Sequence, residues 1–325
     1  MLRRGLATAQ LAGKAAEARL LQKPGYNAYL ALAKPRLTTL VVLSTMSSYA
    51  LCPFESNLPT LVCLTVGTTL CSASANTYNM WLEPPFDSQM ARTRNRPLVK
   101  GSLHPDDAFR MGSLTGLAGV GLLAWGVNPT CALLGLANIG LYAGVYTPLK
   151  RQHIINTWVG AVVGAIPPAM GWFALSPYPF LSQENMGCLY LAALLYAWQF
   201  PHFNSLSWYI REEYARAGYV MTSILHPGMN ARVSLRYSLL TFPICFGLVY
   251  ANVCDAYFML DSSLLNLYLS YRAYDFWRQR GSERERTGSA KKLFFASLVY
   301  LPGVLLLALA HKRGLWDFLE DVVDD

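Results

Sequence analysis

Apolar residues in this chain gather into nine runs, at 37–54, 58–82, 109–127, 130–147, 154–175, 186–209, 234–254, 256–274 and 291–311, with polar and mostly basic segments between them. Each run is close to the ~20 residues that an α-helix needs to cross the hydrocarbon core of a bilayer. Several carry Gly, Ser or Thr, the small residues that let helices pack closely inside a membrane. The eighth run is the weakest, because Asp255, Asp261 and Asp275 frame or enter it. The pattern predicts an all-α, polytopic membrane protein with nine transmembrane helices, or eight if the weakest run is set aside.

Composition agrees. Hydrophobic residues make up 53% of the 325 and charged residues 14%, against about 25% charged in a soluble domain. A disordered chain is excluded. The seven cysteines are scattered, with no CxxC pair and no metal-ligand spacing, and read as small core residues.

The formal charge of +8 could mark a nucleic acid, an anionic membrane surface or anionic substrates. Its distribution decides. Of the 27 Lys and Arg, 25 fall before the first run, in the even-numbered connections or in the run ends that border them; only Lys312 and Arg313 fall on the other side. By the positive-inside rule, the N-terminus and the even connections face the cytoplasm, or the matrix in a mitochondrial inner membrane. No basic stripe interleaved with aromatics points to nucleic acid. Near the N-terminus, Arg3, Arg4, Lys14, Arg19 and Lys23 stand against the single acid Glu17. Such a segment fits mitochondrial targeting or a basic helix lying on the membrane. The chain thus divides into a basic segment 1–33, a membrane domain 34–311 and an acidic tail 312–325.

Three groups of polar residues carry candidate chemistry. Asn79, Glu83 and Asp87 form an N-x3-E-x3-D pattern at the end of the second run. Asn79 and Glu83, four apart, share a helix face. Pro84 and Pro85 should stop that helix, after which Asp87 can fold back over the same point. Converging oxygen ligands suit Mg²⁺, which binds through one or two carboxylates and bridges to substrate phosphates. Arg92, Arg94, Arg96 and Lys100 follow, and guanidinium groups match phosphate oxygens. This reads as a metal–diphosphate site with a basic clamp; the plainer alternative is acids paired with arginines at an interfacial helix end.

The second group is Gln199 and His202, three apart on one face of the sixth run. An ionisable residue inside an apolar run is a functional candidate, the alternative being a buried histidine bonded to a neighbouring helix. Beyond it, Glu213 and Arg216 can pair with each other or face the site built on the second run. The third is Tyr146-Thr-Pro-Leu-Lys150 at the end of the fourth run, where Lys150 offers a point charge to a diphosphate. Gly160, Gly164 and Gly171 in the fifth run admit a flat ligand or close packing. Tyr78, Trp81, Tyr146, Trp198, Phe203 and Trp208 offer aromatic faces to a developing cation, or anchor and pack the helices. His104, His153 and His311 read as surface or interfacial residues.

The segments NMWLEPPFDSQMARTRNRPLVKG, YTPLKRQHIINTWVGAVVGAIPPAMGW and YAWQFPHFNSLSWYIREEYARAGYVM, in this order and spacing, resemble the UbiA-type intramembrane prenyltransferases. Within them they are similar to the mitochondrial protoheme IX farnesyltransferase (heme O synthase) branch. The likeness runs from Lys34 to His311 and implies a helical bundle around a central cavity. It implies transfer of farnesyl from farnesyl diphosphate to a vinyl group of heme b, with a hydroxyl added from water. The product, heme O, is the precursor of heme A for cytochrome c oxidase, which makes heme A synthase a partner. It also implies residence in the mitochondrial inner membrane with the active-site loops facing the matrix.

Carried over by position, Asn79, Glu83 and Asp87 match the motif that binds diphosphate through Mg²⁺, although the superfamily usually has Asp at the place of Glu83. Gln199 and His202 stand where most members have a second Asp-rich motif. Glu213 stands where the heme O branch usually has Asp. The implied site comprises Asn79, Glu83, Asp87 and His202 as catalytic groups. Arg92, Arg96, Tyr146, Lys150, Gln199, Glu213 and Arg216 are its substrate-binding groups. A prenyltransferase acting on an aromatic quinone precursor and a non-catalytic heme carrier are the competing readings.

Overall fold

The computed structural model describes residues 25–279 and 283–315. Residues 1–24 of the basic segment and 316–325 of the acidic tail lie outside the described residues. Among the described residues, nine helices are 17 residues or longer. They are α1 (Pro35–Leu51), α2 (Leu58–Leu82), α3 (Pro105–Gly126), α4 (Pro129–Leu149), α5 (Asn156–Phe173), α6 (Met186–Tyr209), α7 (Pro227–Tyr250), α8 (Tyr257–Arg278) and α9 (Glu283–Ala310). Four of them, α2, α4, α7 and α9, are long and apolar enough to cross a membrane.

Local chemistry sets the helix starts. Pro35, Pro105, Pro129 and Pro227 each open a helix, where a missing N–H is no loss and the fixed φ is already helical. Asn57 and Asn128 cap α2 and α4 by accepting from the amides of Thr60 and Cys131, each at 2.8 Å. Hydropathy places several helix starts too late: α7 begins at Pro227 and α9 at Glu283, because a helix continues into polar sequence once its apolar part is packed.

α2 packs along α3, α6 along α7, and α5 along α1, α4 and α6; α9 closes the bundle against α8, α6 and α1. The α1–α5 crossing depends on Gly171. A Cβ there would sit 2.1 Å from the Thr45 carbonyl oxygen, so only glycine lets the two backbones meet. Trp172, Phe258, Phe276 and Tyr300 fill the main core.

The acids that weaken the eighth run have a partner. His311, just past α9, places Nδ1 3.0 and 2.9 Å from the two Asp255 oxygens and Nε2 3.0 Å from Asp261. Lys312 donates to the carbonyls of Ala50 (2.7 Å) and Cys52 (3.2 Å). The end of α9 is thereby tied to α8 and to the end of α1. Burial opposes the charged ring, but the bonds to Asp255 and Asp261 outweigh it and hold the His311 pKa above its ordinary value. Burial likewise opposes the charged form of Asp255, and the bonds from His311 and the Phe258 and Tyr257 amides hold its pKa below the usual range.

The sign follows for each group. His311 contributes stability that is lost as pH rises through its raised pKa; Asp255 contributes stability that is lost as pH falls through its depressed one. In detergent, His311→Ala is expected to lower Tm at neutral pH, and the difference from wild type should shrink as pH is raised into the alkaline range. A difference that stays constant across that range shows that the charged ring is not what holds the clasp.

Candidate active site

α2 ends at Leu82, Glu83 takes the cap position, and Pro84 opens a one-turn helix, Pro84–Asp87. This stop and restart brings Asp87 back over the end of α2. Asn79, Glu83 and Asp87 are each 2% exposed. The four-residue spacing of the first two is realised as a bond from Asn79 Nδ2 to Glu83 Oε2 at 2.8 Å. The same amide nitrogen donates to Thr147 Oγ1 at 3.0 Å.

Cations from three other segments close on these oxygens. The Lys150 amine, 9% exposed, is paired with Glu83 Oε1, and Tyr219 donates its hydroxyl to the same oxygen at 3.1 Å. Arg96 is paired with Asp87, and the same Nη1 lies 4.0 Å from Glu83 Oε2, so one guanidinium spans both carboxylates. Thr93 donates its hydroxyl to the Asp87 carbonyl at 2.9 Å. Lys34 donates to Asn79 Oδ1 at 2.6 Å and lies 5.8 Å from the centre of the Tyr142 ring. Its backbone is left-handed (φ 46°) ahead of Pro35. Such a conformation costs on the order of 1 kcal/mol in a residue with a Cβ and persists where its surroundings dictate it.

These groups line the mouth of a cavity of about 500 Å³ that runs between the helices to Gln199, His202, Trp198 and Pro302. α4 reaches it through a π-helical stretch, Leu141–Tyr146, which stacks Tyr142 on Tyr146 (centroids 5.5 Å apart). Gln199 lies against Gly164, where a Cβ would come within 2.3 Å of its Oε1, and donates to the Ala161 carbonyl at 2.9 Å. His202 bonds Ser297 at 2.9 Å and stacks on Trp198. Leu37 and Leu40 line the cavity while remaining 43% and 53% exposed, so it opens sideways at α1.

The structure thus brings Asn79, Glu83, Asp87, Arg92, Arg96, Tyr146, Lys150, Gln199 and His202 to one cavity. Glu213 and Arg216 lie on the short helix Arg211–Arg216 and do not line it; Tyr214 of that helix does. Trp198 and Phe203 also line it, whereas Tyr78 and Trp81 pack on Phe109 and Trp208 lies between Arg211 and Arg286. Lys34, Tyr142, Thr147 and Tyr219 also belong to the network, although none of them is among the candidate site residues of the sequence. For Lys34 the available signal was a Lys-Pro step opening the first run, indistinguishable there from an orientation charge.

The model of the UbiA prenyltransferase family matches residues 41–299. The chain belongs to this family. Among curated UbiA-type relatives, the mitochondrial protoheme IX farnesyltransferase of Yarrowia lipolytica (strain CLIB 122 / E 150) is 57% identical over 300 residues, covering 90% of this chain and 63% of its own length. That of Saccharomyces cerevisiae (strain ATCC 204508 / S288c) is 52% identical over 315 residues, covering 92% of this chain and 67% of its own. The chain therefore spans about two thirds of the length of these relatives. Of solved structures, digeranylgeranylglyceryl phosphate synthase aligns with a TM-score of 0.73 at 12% identity, over 88% of this chain and 97% of its own. A UbiA homolog from Archaeoglobus fulgidus bound to DMAPP and Mg²⁺ aligns with a TM-score of 0.61 at 14% identity, over 86% and 99%. The UbiA fold is thus shared well beyond recognisable sequence identity.

Within this family member, Glu83→Leu removes the acceptor for Lys150, Tyr219 and Asn79 at once. A cation left unpaired in a buried site is expected to lower stability by about 3–5 kcal/mol, read as Tm in detergent. Arg94→Gln, on the exposed side of the same connection, should leave Tm unchanged. A Glu83→Leu protein as stable as wild type shows that the network does not hold the mouth together.

Proposed function

We propose that the chain transfers a farnesyl group from farnesyl diphosphate to a vinyl group of heme b, with a hydroxyl from water, to make heme O. The observation that carries the donor half is the mouth of the cavity: two buried carboxylates ringed by Lys34, Lys150 and Arg96, with Arg92 on the lining, above an apolar interior. An anionic diphosphate suits the mouth and a polyisoprenoid tail suits the interior. The heme b acceptor is supported by the named activity of relatives 46–57% identical over most of this chain. The segment around Gln199 and His202 weighs against an aromatic quinone precursor, and the acid–arginine cluster against a heme carrier.

The donor set fits Mg²⁺: Glu83 and Asp87 offer hard carboxylate oxygens beside the Asn79 amide oxygen, on the connection that also carries the phosphate-matching arginines. When bound, the ion supplies charge neutralisation to the leaving diphosphate. The residues do the rest. Arg92, Arg96, Lys150 and Lys34 take up the charge that develops as the carbon–oxygen bond breaks. Tyr146 and Trp198 offer aromatic faces to the allylic cation, and the apolar walls exclude water from it until the acceptor has reacted.

The same reading places nine spans in the mitochondrial inner membrane, with the mouth and the basic connections facing the matrix and the α9 end facing the other side. Glu213 and Arg216, on the rim helix beside Tyr214, would meet the substrates as they enter. The product passes to heme A synthase for assembly of cytochrome c oxidase.

Incubation of the purified protein with heme b, farnesyl diphosphate and Mg²⁺ should yield heme O by mass, and chelation of the metal should abolish it. Asp87→Ala should remove turnover by at least ~10²-fold while leaving heme binding intact. Heme binding without product in the wild-type protein sinks the enzyme reading; turnover retained in Asp87→Ala removes that carboxylate from the site.

A further inference from the structure

The reaction proposed above has a second half that the charged mouth does not serve. The leaving diphosphate takes the electron pair of the carbon–oxygen bond. The π electrons of the vinyl group then form the new carbon–carbon bond from its terminal carbon. Positive charge is left on the vinyl carbon attached to the porphyrin. Two fates are open to that carbon. A water lone pair adds to it and the water's proton leaves to a base, giving the hydroxyl; or the neighbouring CH₂ loses a proton, giving an alkene. The hydroxyl outcome needs an unprotonated acceptor inside the cavity, away from the diphosphate.

Most polar groups on the cavity wall are unsuited. Lys34, Lys150, Arg92 and Arg96 are cations with protons to give. Glu83 and Asp87 are occupied by Lys150 and Arg96 at the diphosphate end. Gln199 donates through Nε2 to the carbonyls of Ala161 and Leu195 (2.9 and 3.0 Å) and has no basic atom. His202 is the one histidine among the described residues that line the cavity.

The hydrogen bonds around His202 fix its tautomer. Ser297 has a single hydroxyl proton and donates it to the Phe294 carbonyl at 2.6 Å. Towards His202 Nδ1, 2.9 Å away, Ser297 Oγ can then only accept. Nδ1 therefore carries the ring proton, and in the neutral ring Nε2 carries the lone pair. Among the described residues no group bonds to Nε2. The ring cannot swing freely: it stacks on Trp198 (centroids 4.6 Å, planes 21° apart) with Phe294 beside it at 5.0 Å. Trp198 in turn donates its indole N–H to the Ser297 carbonyl at 2.7 Å. One residue of α9 thus holds both rings of α6, the histidine by its side chain and the tryptophan by its backbone.

Resting on the function proposed above, we infer that His202 Nε2 is the base that takes the proton from water as it adds to the heme-side carbocation, with Ser297 as the residue that positions it. Bonds balance: the carbon–oxygen bond at the diphosphate, the vinyl π bond and one O–H bond of water break; one carbon–carbon bond, one carbon–oxygen bond and the N–H bond at Nε2 form, and that proton then passes to solvent. The lone pair that does this would otherwise be free to ligate the heme iron, so the test must separate the two.

The test uses the full chain in detergent with heme b, farnesyl diphosphate and Mg²⁺, reading by mass the ratio of hydroxylated product to product lacking one water. Wild type should give the hydroxylated product. His202→Gln should still form the carbon–carbon bond but shift to the dehydrated product, the hydroxylated fraction falling by about a hundredfold, the lower range for general-base loss. Ser297→Ala, a small change that leaves the ring unanchored, should move the ratio the same way by less. The ferric heme spectrum of His202→Gln should match wild type.

An unchanged product ratio in both variants overturns the inference, as does a changed heme spectrum in His202→Gln with the wild-type ratio, which makes the lone pair an iron ligand. If His202→Gln does not fold, the Ser297→Ala ratio decides. Wild-type protein that forms no farnesylated heme at all is a different outcome, and it is the functional reading that then fails.

Discussion

A carboxylate buried at the end of a membrane-embedded helix cannot stand alone, because desolvating an ion without a partner is among the largest penalties a fold can meet. Glu83 sits in that position, 2% exposed, and its two oxygens are met from four places: Asn79 one turn back, Lys150 at the end of α4, Tyr219 in the connection before α7, and Arg96 in the connection before α3. Each partner belongs to a different segment, so neutralising one charge fixes the relative positions of all four. The remaining bonds extend from there, through Asn79 to Lys34 and Thr147, and through Arg96 to Asp87.

The same constraint shapes the cavity. Among the described residues, all the Lys and Arg that line it come from the start of α1, the end of α4 and the connection between α2 and α3; α6 and α9 contribute none. Charge is confined to one end, and the walls beyond are aliphatic, aromatic and neutral polar. An amphiphile with an anionic head is oriented by this gradient alone. The α4 π-helical stretch and the left-handed Lys34 both fall at the charged end, where local backbone preference yields to the demand for groups aimed at one point.

Much of this was legible in the sequence, and the limits have physical causes. The apolar runs located every long helix among the described residues, because a helix packed into the bundle needs a sustained apolar run. They misplaced helix starts, because packed helices such as α9 continue into polar sequence. The spacing of Asn79 and Glu83 with two prolines behind them gave away a helix end with converging oxygens, since those rules act within one turn. Lys34, Tyr142 and Tyr219 stayed hidden because they reach the site by the packing of whole helices and connections. His311 was hidden likewise: its value lies in Asp255 and Asp261, more than a helix length away in sequence.

The α6 wall carries Gln199 and His202 and, among the described residues that line the cavity, no carboxylate. A pair of carboxylates at that depth would need cations beside it, and no Lys or Arg lines the cavity there among the described residues. The wall there is therefore neutral. For a reaction whose second cation lies on the acceptor, a neutral base differs from a carboxylate in one respect: it can accept a proton from water without being drawn by its own charge into an ion pair with the cation. A wall without carboxylates keeps negative charge out of the half of the cavity where, in the proposed reaction, the acceptor carries positive charge.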